Sequence, residues 1–299
     1  MKNIFALYFL GIISTACSSD DDNGSSIIVE PEIENGLYDL TMTHNGLVRE
    51  YLLFVPQNYS ASQALPLVFS LHGAGGTKES QYQLSEFNEI ADRENFLFVT
   101  PEAIAPRGNF TFWNQLSSAN GADDVGFIDT LISLVAMEYS VDLDRVYLAG
   151  SSNGAFMSFQ YVCEHSNKIA GVAAVKGYML ADQISNCQPT LPTAIIQMHG
   201  TKDPLVSYEG VQATLDFWNG FNQTDTIALT RNLPDSDPNN GNTTSSSLYQ
   251  DGTNGVQVEH IKVVNGLHDW FGEPGTNYDF KASEEAWAFF NKFDINGLR

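Results

Sequence analysis

The residues AGSSNGAFM, 149–157, hold Gly150, Ser152 and Gly154 in the pattern G-x-S-x-G. Whether Ser152 is a nucleophile or a small residue in a glycine-rich turn decides how the rest is read. By average residue usage a chain of this length matches the pattern by accident about one time in ten, so the context must carry the argument. Before it stands RVYLAG (145–150), a short apolar strand-like run, and after it NGAFMSFQYVCEH (153–165) has helical period. Ser152 therefore falls on a strand-to-helix turn tight enough that a side chain at 150 or 154 would collide with the neighbouring element, as a nucleophile elbow requires.

Working outward, short runs rich in Val, Ile and Phe alternate with helical segments. PLVFSLH (66–72), a helical stretch 79–93, FLFVT (96–100) and the helical DDVGFIDTLISLVAMEYS (123–140) precede the elbow. IAGVAAV (169–175), TAIIQMH (193–199), a helix around 209–219, VQVEHIKVV (256–264) and a final helix near 281–293 follow it. Strands apolar on both faces and separated by helices predict an α/β domain with a mostly parallel central sheet flanked by helices and right-handed crossovers, and with the elbow at Ser152 this layout resembles the α/β-hydrolase fold class. An N-terminal antiparallel pair is expected from two β-rich runs (37–56) around Asn45-Gly46. The polar, turn-rich stretch 232–247 reads as a surface excursion, and residues 37–299 as one catalytic domain.

A serine hydroxyl is a weak nucleophile and needs a base, which in turn needs an acid to orient it. Asp203 in HGTKDP and His268 in NGLHDW follow in the order Ser, Asp, His, each just past the carboxyl end of a strand, where such sheets place their sites. His199 is assigned a structural role, holding the Asp203 turn. His44, His165 and His260 read as surface or packed residues. The oxyanion donors are expected to be the backbone N–H of Asn153, next after the nucleophile, and of Ala74 in LHGAGGTKES, with Gly75 as its substitute. Trp113 and Trp270, in loops beside these residues, are candidates to line a substrate pocket. Asp123 and Asp124 are expected to cap the helix that follows.

The 14 basic against 36 acidic residues give a formal net charge of -22, which excludes nucleic acid as a partner on electrostatic grounds. No H-E-x-x-H or paired C-x-x-C is present, so neither a metal nor any other cofactor is expected. The N-terminal MKNIFALYFLGIISTAC reads as a signal peptide (1–16), with Cys17 as a lipidation site and an acidic tether over 17–36. That predicts a secreted, outer-membrane or cell-surface lipoprotein, its partner there being membrane lipid through Cys17, and a monomer. The remaining Cys163 and Cys187 read either as one disulfide or as two separate buried thiols.

LHGAGG, DDVGFIDTLI, VYLAGSSNGAFM, HGTKDP and NGLHDW occur in an order and spacing that resembles the secreted polyhydroxybutyrate depolymerase-like esterases, which include the feruloyl and acetylxylan esterases of carbohydrate esterase family one. The resemblance runs from about residue 37 to the C-terminus. It implies Ser152 as nucleophile, Asp203 as acid, His268 as base and a disulfide between Cys163 and Cys187. It also implies an ester-bearing polysaccharide, or failing that a polyester, as substrate. Ser151, Ala155 and Phe156 around the elbow, and Leu267 and Phe271 around the base, depart from the family's usual residues and bear on the pocket rather than the triad. The rival from another class is an inactive glycan-binding lipoprotein on the same fold, which would have no need of Ser, Asp and His at these three places.

Overall fold

The structure, a computed structural model, describes residues 34–105, 110–119 and 121–299. The expected signal peptide, Cys17 and most of the tether lie outside them. The chain opens with β1 (Gly36–His44) and β2 (Leu47–Val55), an antiparallel hairpin turned at Asn45 and Gly46, both at positive φ. The alternation then runs β3 (Leu65–Leu71), α1 (Lys78–Ser85), α2 (Phe87–Glu94), β4 (Leu97–Pro101), α3 (Asp124–Glu138), β5 (Val141–Ser151) and α4 (Asn153–His165). It continues with β6 (Gly171–Val175), α5 (Ala181–Asn186), β7 (Ala194–Gly200), α6 (Val211–Asn222), β8 (Leu229–Asn232), β9 (Thr243–Tyr249), β10 (Val258–Val264) and α7 (Ala282–Phe290).

These strands form one ten-stranded sheet in the order β1-β2-β4-β3-β5-β6-β7-β10-β9-β8. The run from β4 to β10 is parallel, with antiparallel pairs at both edges. This is the α/β-hydrolase arrangement. Because side chains alternate along a strand, each central strand feeds two cores. Leu148 and Val172 pack with Ile128, Leu131 and Phe159 from α3 and α4, while Tyr147 and Ala173 pack with Phe87, Trp287 and Phe290 from α2 and α7. Burial on both faces is what makes the central strands continuously apolar.

Three expectations change. The helix over 79–93 is two helices, broken at Glu86, which sits at φ 51. The excursion over 232–247 is shorter than expected, because Thr243–Tyr249 is a strand paired antiparallel with β10. Its Ser and Thr residues hide it from a search for apolar runs, yet they serve there: Thr244 and Ser246 are buried, and Ser246 Oγ donates to the Glu259 carboxylate. Asp123 caps α3, accepting from Gly126 N–H at 2.9 Å, but Asp124 does not. Asp124 is buried and paired with the equally buried Arg49 at 2.7 Å, and it also accepts from Asn114 N–H. The cysteine pair is a disulfide, Cys163–Cys187, tying α4 to the segment after α5.

Candidate active site

The elbow follows from steric necessity. Ser152, between β5 and α4, has φ 53 and ψ -115, a region that costs a non-glycine residue about 1–3 kcal/mol and persists only when its surroundings impose it. They do so here. A Cβ at Gly150 would stand 2.3 Å from the Gly154 carbonyl oxygen, and one at Gly154 would stand 2.3 Å from the Leu71 carbonyl oxygen. Ser152 N–H donates to Val175 O at 3.0 Å, fixing the turn to β6. The half-buried Ser152 is thereby set at the N-terminus of α4, where the helix dipole favours negative charge.

The loop after β3 lies against this turn, with a Cβ at Gly73 falling 3.4 Å from Ser152 Cβ. Gly75 N–H is committed to Thr111 O at 2.8 Å, and Gly76 N–H to Gly73 O at 3.0 Å. Ala74 N–H has no acceptor among the described residues, and Ala74 is exposed. Asn153 N–H, at the first turn of α4, is also free of any intrahelical partner. The Asn153 side chain is buried and clamped: its Oδ1 accepts from Trp113 N–H at 2.7 Å, and its Nδ2 donates to Gln115 Oε1 at 2.7 Å.

Beyond β6, which neighbours the elbow strand, come the carboxyl ends of β7 and β10. His268 Nδ1–H donates to Asp203 Oδ2 at 2.7 Å, and the Asp203 side chain has no exposed surface. Asp203 Oδ1 accepts from Leu205 N–H and Val206 N–H, both at 2.9 Å. Burial pushes this carboxyl up, but the bonds from Val206, His268 and Leu205 outweigh it and hold Asp203 below the usual carboxylate range. The site therefore contains an ionised acid oriented on a histidine.

Both tryptophans expected in a pocket are instead core residues, because loop position does not reveal which way a ring points. Trp113 is 0% and Trp270 1% exposed, which leaves neither a face for substrate. Trp113 Nε1 donates to His72 O at 2.9 Å and Trp270 Nε1 to Ser283 Oγ at 3.0 Å. Apolar side chains that do face solvent nearby include Phe110, against Gly75, Phe112, next before Trp113, Leu205, two residues past Asp203, and Leu267, next before His268.

Three further residues at the site escaped the sequence reading or were given a lesser role. His72 is locked beneath the loop after β3, its Nδ1–H donating to Gly73 O at 2.7 Å and its Nε2 accepting from Ala103 N–H at 3.0 Å. Burial pushes it down to about 4, so it stays neutral. Lys176, only 9% exposed and at φ 50, donates from Nζ to His268 O at 3.2 Å, and burial lowers its pKa against the pull of Glu273, Asp269 and Asp203. His199 is wholly buried beside Asp203. The sequence offered one signal, His199 four residues before Asp203 in the same turn. Among the described residues no group of three or more His, Cys, Asp or Glu could hold a metal ion.

Comparison with known proteins gives the family and the fold. The family described as phospholipase/carboxylesterase matches residues 58–241. A bifunctional acetylxylan esterase/xylanase of Neocallimastix patriciarum is 26% identical over 255 residues, covering 84% of this chain and 34% of that protein. The chain thus spans about a third of that relative. A probable feruloyl esterase C of Aspergillus flavus is 28% identical over 200 residues, covering 67% of this chain and 69% of its own. Among solved structures, an acetyl xylan esterase from Aspergillus awamori shares the fold with a TM-score of 0.65 at 15% identity, covering 86% of this chain and 99% of that one. The feruloyl esterase module from Clostridium thermocellum does so with a TM-score of 0.57 at 12% identity, covering 82% and 90%.

Proposed function

We propose that this chain, which belongs to the phospholipase/carboxylesterase family and is a carboxylic ester hydrolase, is a serine esterase acting on feruloyl or acetyl esters of plant polysaccharide. The observations that carry the mechanism are the strained Ser152 elbow and an Asp203–His268 pair closed at 2.7 Å at the same end of the sheet. Ser152 Oγ attacks the ester carbonyl while His268 Nε2 takes its proton. Ala74 and Asn153 N–H stabilise the tetrahedral oxyanion. His268 then returns the proton to the leaving alcohol, and water, activated by the same imidazole, cleaves the acyl-enzyme. Asp203 holds the tautomer and balances the imidazolium without itself taking a proton.

The polysaccharide substrate is supported by the two sequence relatives, whose names give acetylxylan and feruloyl esters. Exposed Phe110, Leu205 and Leu267 beside the site suit an aromatic acyl group better than acetyl. Export is supported by the N-terminal signal pattern ending at Cys17 and by the disulfide, which fits an oxidising compartment. The test is chromatography of products from feruloylated arabinoxylan, acetylated xylan and poly(3-hydroxybutyrate), with mature protein and Ser152→Ala. Ferulate or acetate released by the unmodified protein alone is the expected result. Release of hydroxybutyrate alone replaces the substrate with a polyester, and turnover that survives Ser152→Ala overturns the mechanism.

A further inference from the structure

A histidine on β7 and one in the loop after β10 converge on one oxygen of Asp203. His268 Nδ1 lies 2.7 Å from Asp203 Oδ2, and His199 Nε2 lies 3.3 Å from the same atom. We infer that His199 is a positioning residue which shares the Asp203 carboxylate with His268 and so sets how strongly that carboxylate pulls on the base. The inference rests on the triad proposed above.

The tautomer of His199 follows from its neighbours. Nε2 lies 2.8 Å from the carbonyl oxygen of Val206, which can only accept, so Nε2 carries the proton. Nδ1 faces Gln197 Nε2 at 3.2 Å and accepts from it. The Gln197 amide cannot be turned round, since its nitrogen also donates to Gly177 O at 3.0 Å. The His199 Nε2–H is thus donated to Val206 O, and the same nitrogen brings its N–H dipole within 3.3 Å of Asp203 Oδ2, where it acts on the carboxylate electrostatically. Burial lowers the pKa of the wholly buried ring, so it stays neutral and supplies one fixed proton.

Other titratable groups face His199 from each packed element. The Tyr178 and Tyr208 rings stand 6.0 Å and 5.9 Å from it. Lys262 is its register partner on β10, and His260 lies on the same strand, donating from Nδ1 to Gln197 O. Lys176 acts on Asp203 through space from the end of β6. Among the described residues, the donors bonded to the Asp203 carboxylate are the two backbone N–H groups and His268, and the His199 Nε2–H stands beside them at 3.3 Å without bonding to it. Each donor that stabilises the carboxylate weakens its hold on the His268 Nδ1–H. The His199 N–H dipole acts on the carboxylate in the same sense, so removing it favours the imidazolium: the acid limb of kcat/KM moves to higher pH, and His268 gives its proton to the leaving alcohol less readily.

The test compares His199→Gln, whose amide nitrogen reaches the place of Nε2, with His199→Asn, whose amide reaches only that of Nδ1. Folding is checked by circular dichroism. The acid limb is expected to stay within experimental error of wild type in Gln and to rise by roughly half a unit in Asn, with turnover at the optimum several-fold lower. A merely structural role would lower the melting temperature of both without moving the limb, and an unmoved limb in Asn overturns the inference. His268→Ala serves as the control for the triad: wild-type turnover there overturns the triad, whereas an inactive His268→Ala beside an unmoved limb in Asn overturns only the role of His199. Nitrogen NMR on the unsubstituted enzyme needs no variant to fold. It should find His199 protonated at Nε2 and bare at Nδ1, and the opposite tautomer overturns the inference.

Discussion

The wall of the site that carries Ala74 and Asn153 and the wall that carries Asp203 and His268 meet at Ser152 but are held in opposite ways. The first is made of backbone dipoles braced by uncharged contacts: His72 locked to Gly73 and Ala103, Trp113 to His72, and Asn153 to Trp113 and Gln115. Its charged element, the Arg49–Asp124 pair, stands a layer behind and reaches the site through the Asn114 backbone. The second wall is titratable almost throughout, with Asp203, His268, His199, Lys176, Asp269 and Glu273 gathered at the ends of β6, β7 and β10. An oxyanion that comes and goes within one turnover is best met by dipoles that need not reorganise. A proton that moves twice needs groups whose charge can change, and those need neighbours to balance it.

Substitutions that break each wall should therefore fail differently. Asp203→Asn retains the shape of the acid–base wall but forces the wrong tautomer on His268, and kcat should fall about 10⁴-fold with folding intact. A loss below tenfold in steady-state assays would remove Asp203 from the mechanism. Arg49→Met leaves Asp124 buried without its cation and should cost about 3–5 kcal/mol in urea unfolding. Activity per folded molecule should change little, since the pair only braces the oxyanion wall from behind. Asn153→Ala keeps the backbone donor but releases Trp113 and Gln115. We expect kcat to drop on the order of a hundredfold with KM nearly unchanged, because the donor it misaligns acts in the transition state; a change confined to KM would place Asn153 in ground-state binding.

The same contrast explains what the sequence discloses. The elbow was legible because its demands are steric: Gly150 and Gly154 leave no alternative at their contacts with Gly154 O and Leu71 O, and an alternating strand pattern locates them. Asp203 and His268 were legible from their places at the carboxyl ends of β7 and β10. The direction of a loop side chain is not encoded locally, so Trp113 and Trp270 read as subsites although both are core. Polarity likewise hid β9, whose Thr244 and Ser246 are buried by pairing with β10 rather than by apolar patterning. Lys176 and its partner carbonyl at His268 are 92 positions apart, and no spacing rule connects them.

Lys176 provides the smallest and most discriminating test of the charged wall. Its one direct hydrogen bond among the described residues is to the His268 carbonyl at 3.2 Å, and no carboxylate closes an ion pair with it there. A buried ammonium held by a single carbonyl costs stability, which is the meaning of its lowered pKa. The sign follows directly: below its depressed folded-state pKa the lysine is charged in both states and the full penalty applies. As pH rises from there toward the ordinary value of 10.5, the unfolded chain holds more protons than the folded one, and the penalty is relieved. Lys176→Met should therefore be more stable than wild type at neutral pH, with the advantage shrinking as pH rises in urea titrations; an advantage that is absent or grows with pH would contradict this account. Turnover should nonetheless fall a few-fold, because the carbonyl that Lys176 holds belongs to His268, the proposed base. A variant more stable and less active would show that the charge is retained to place the base rather than to hold the fold.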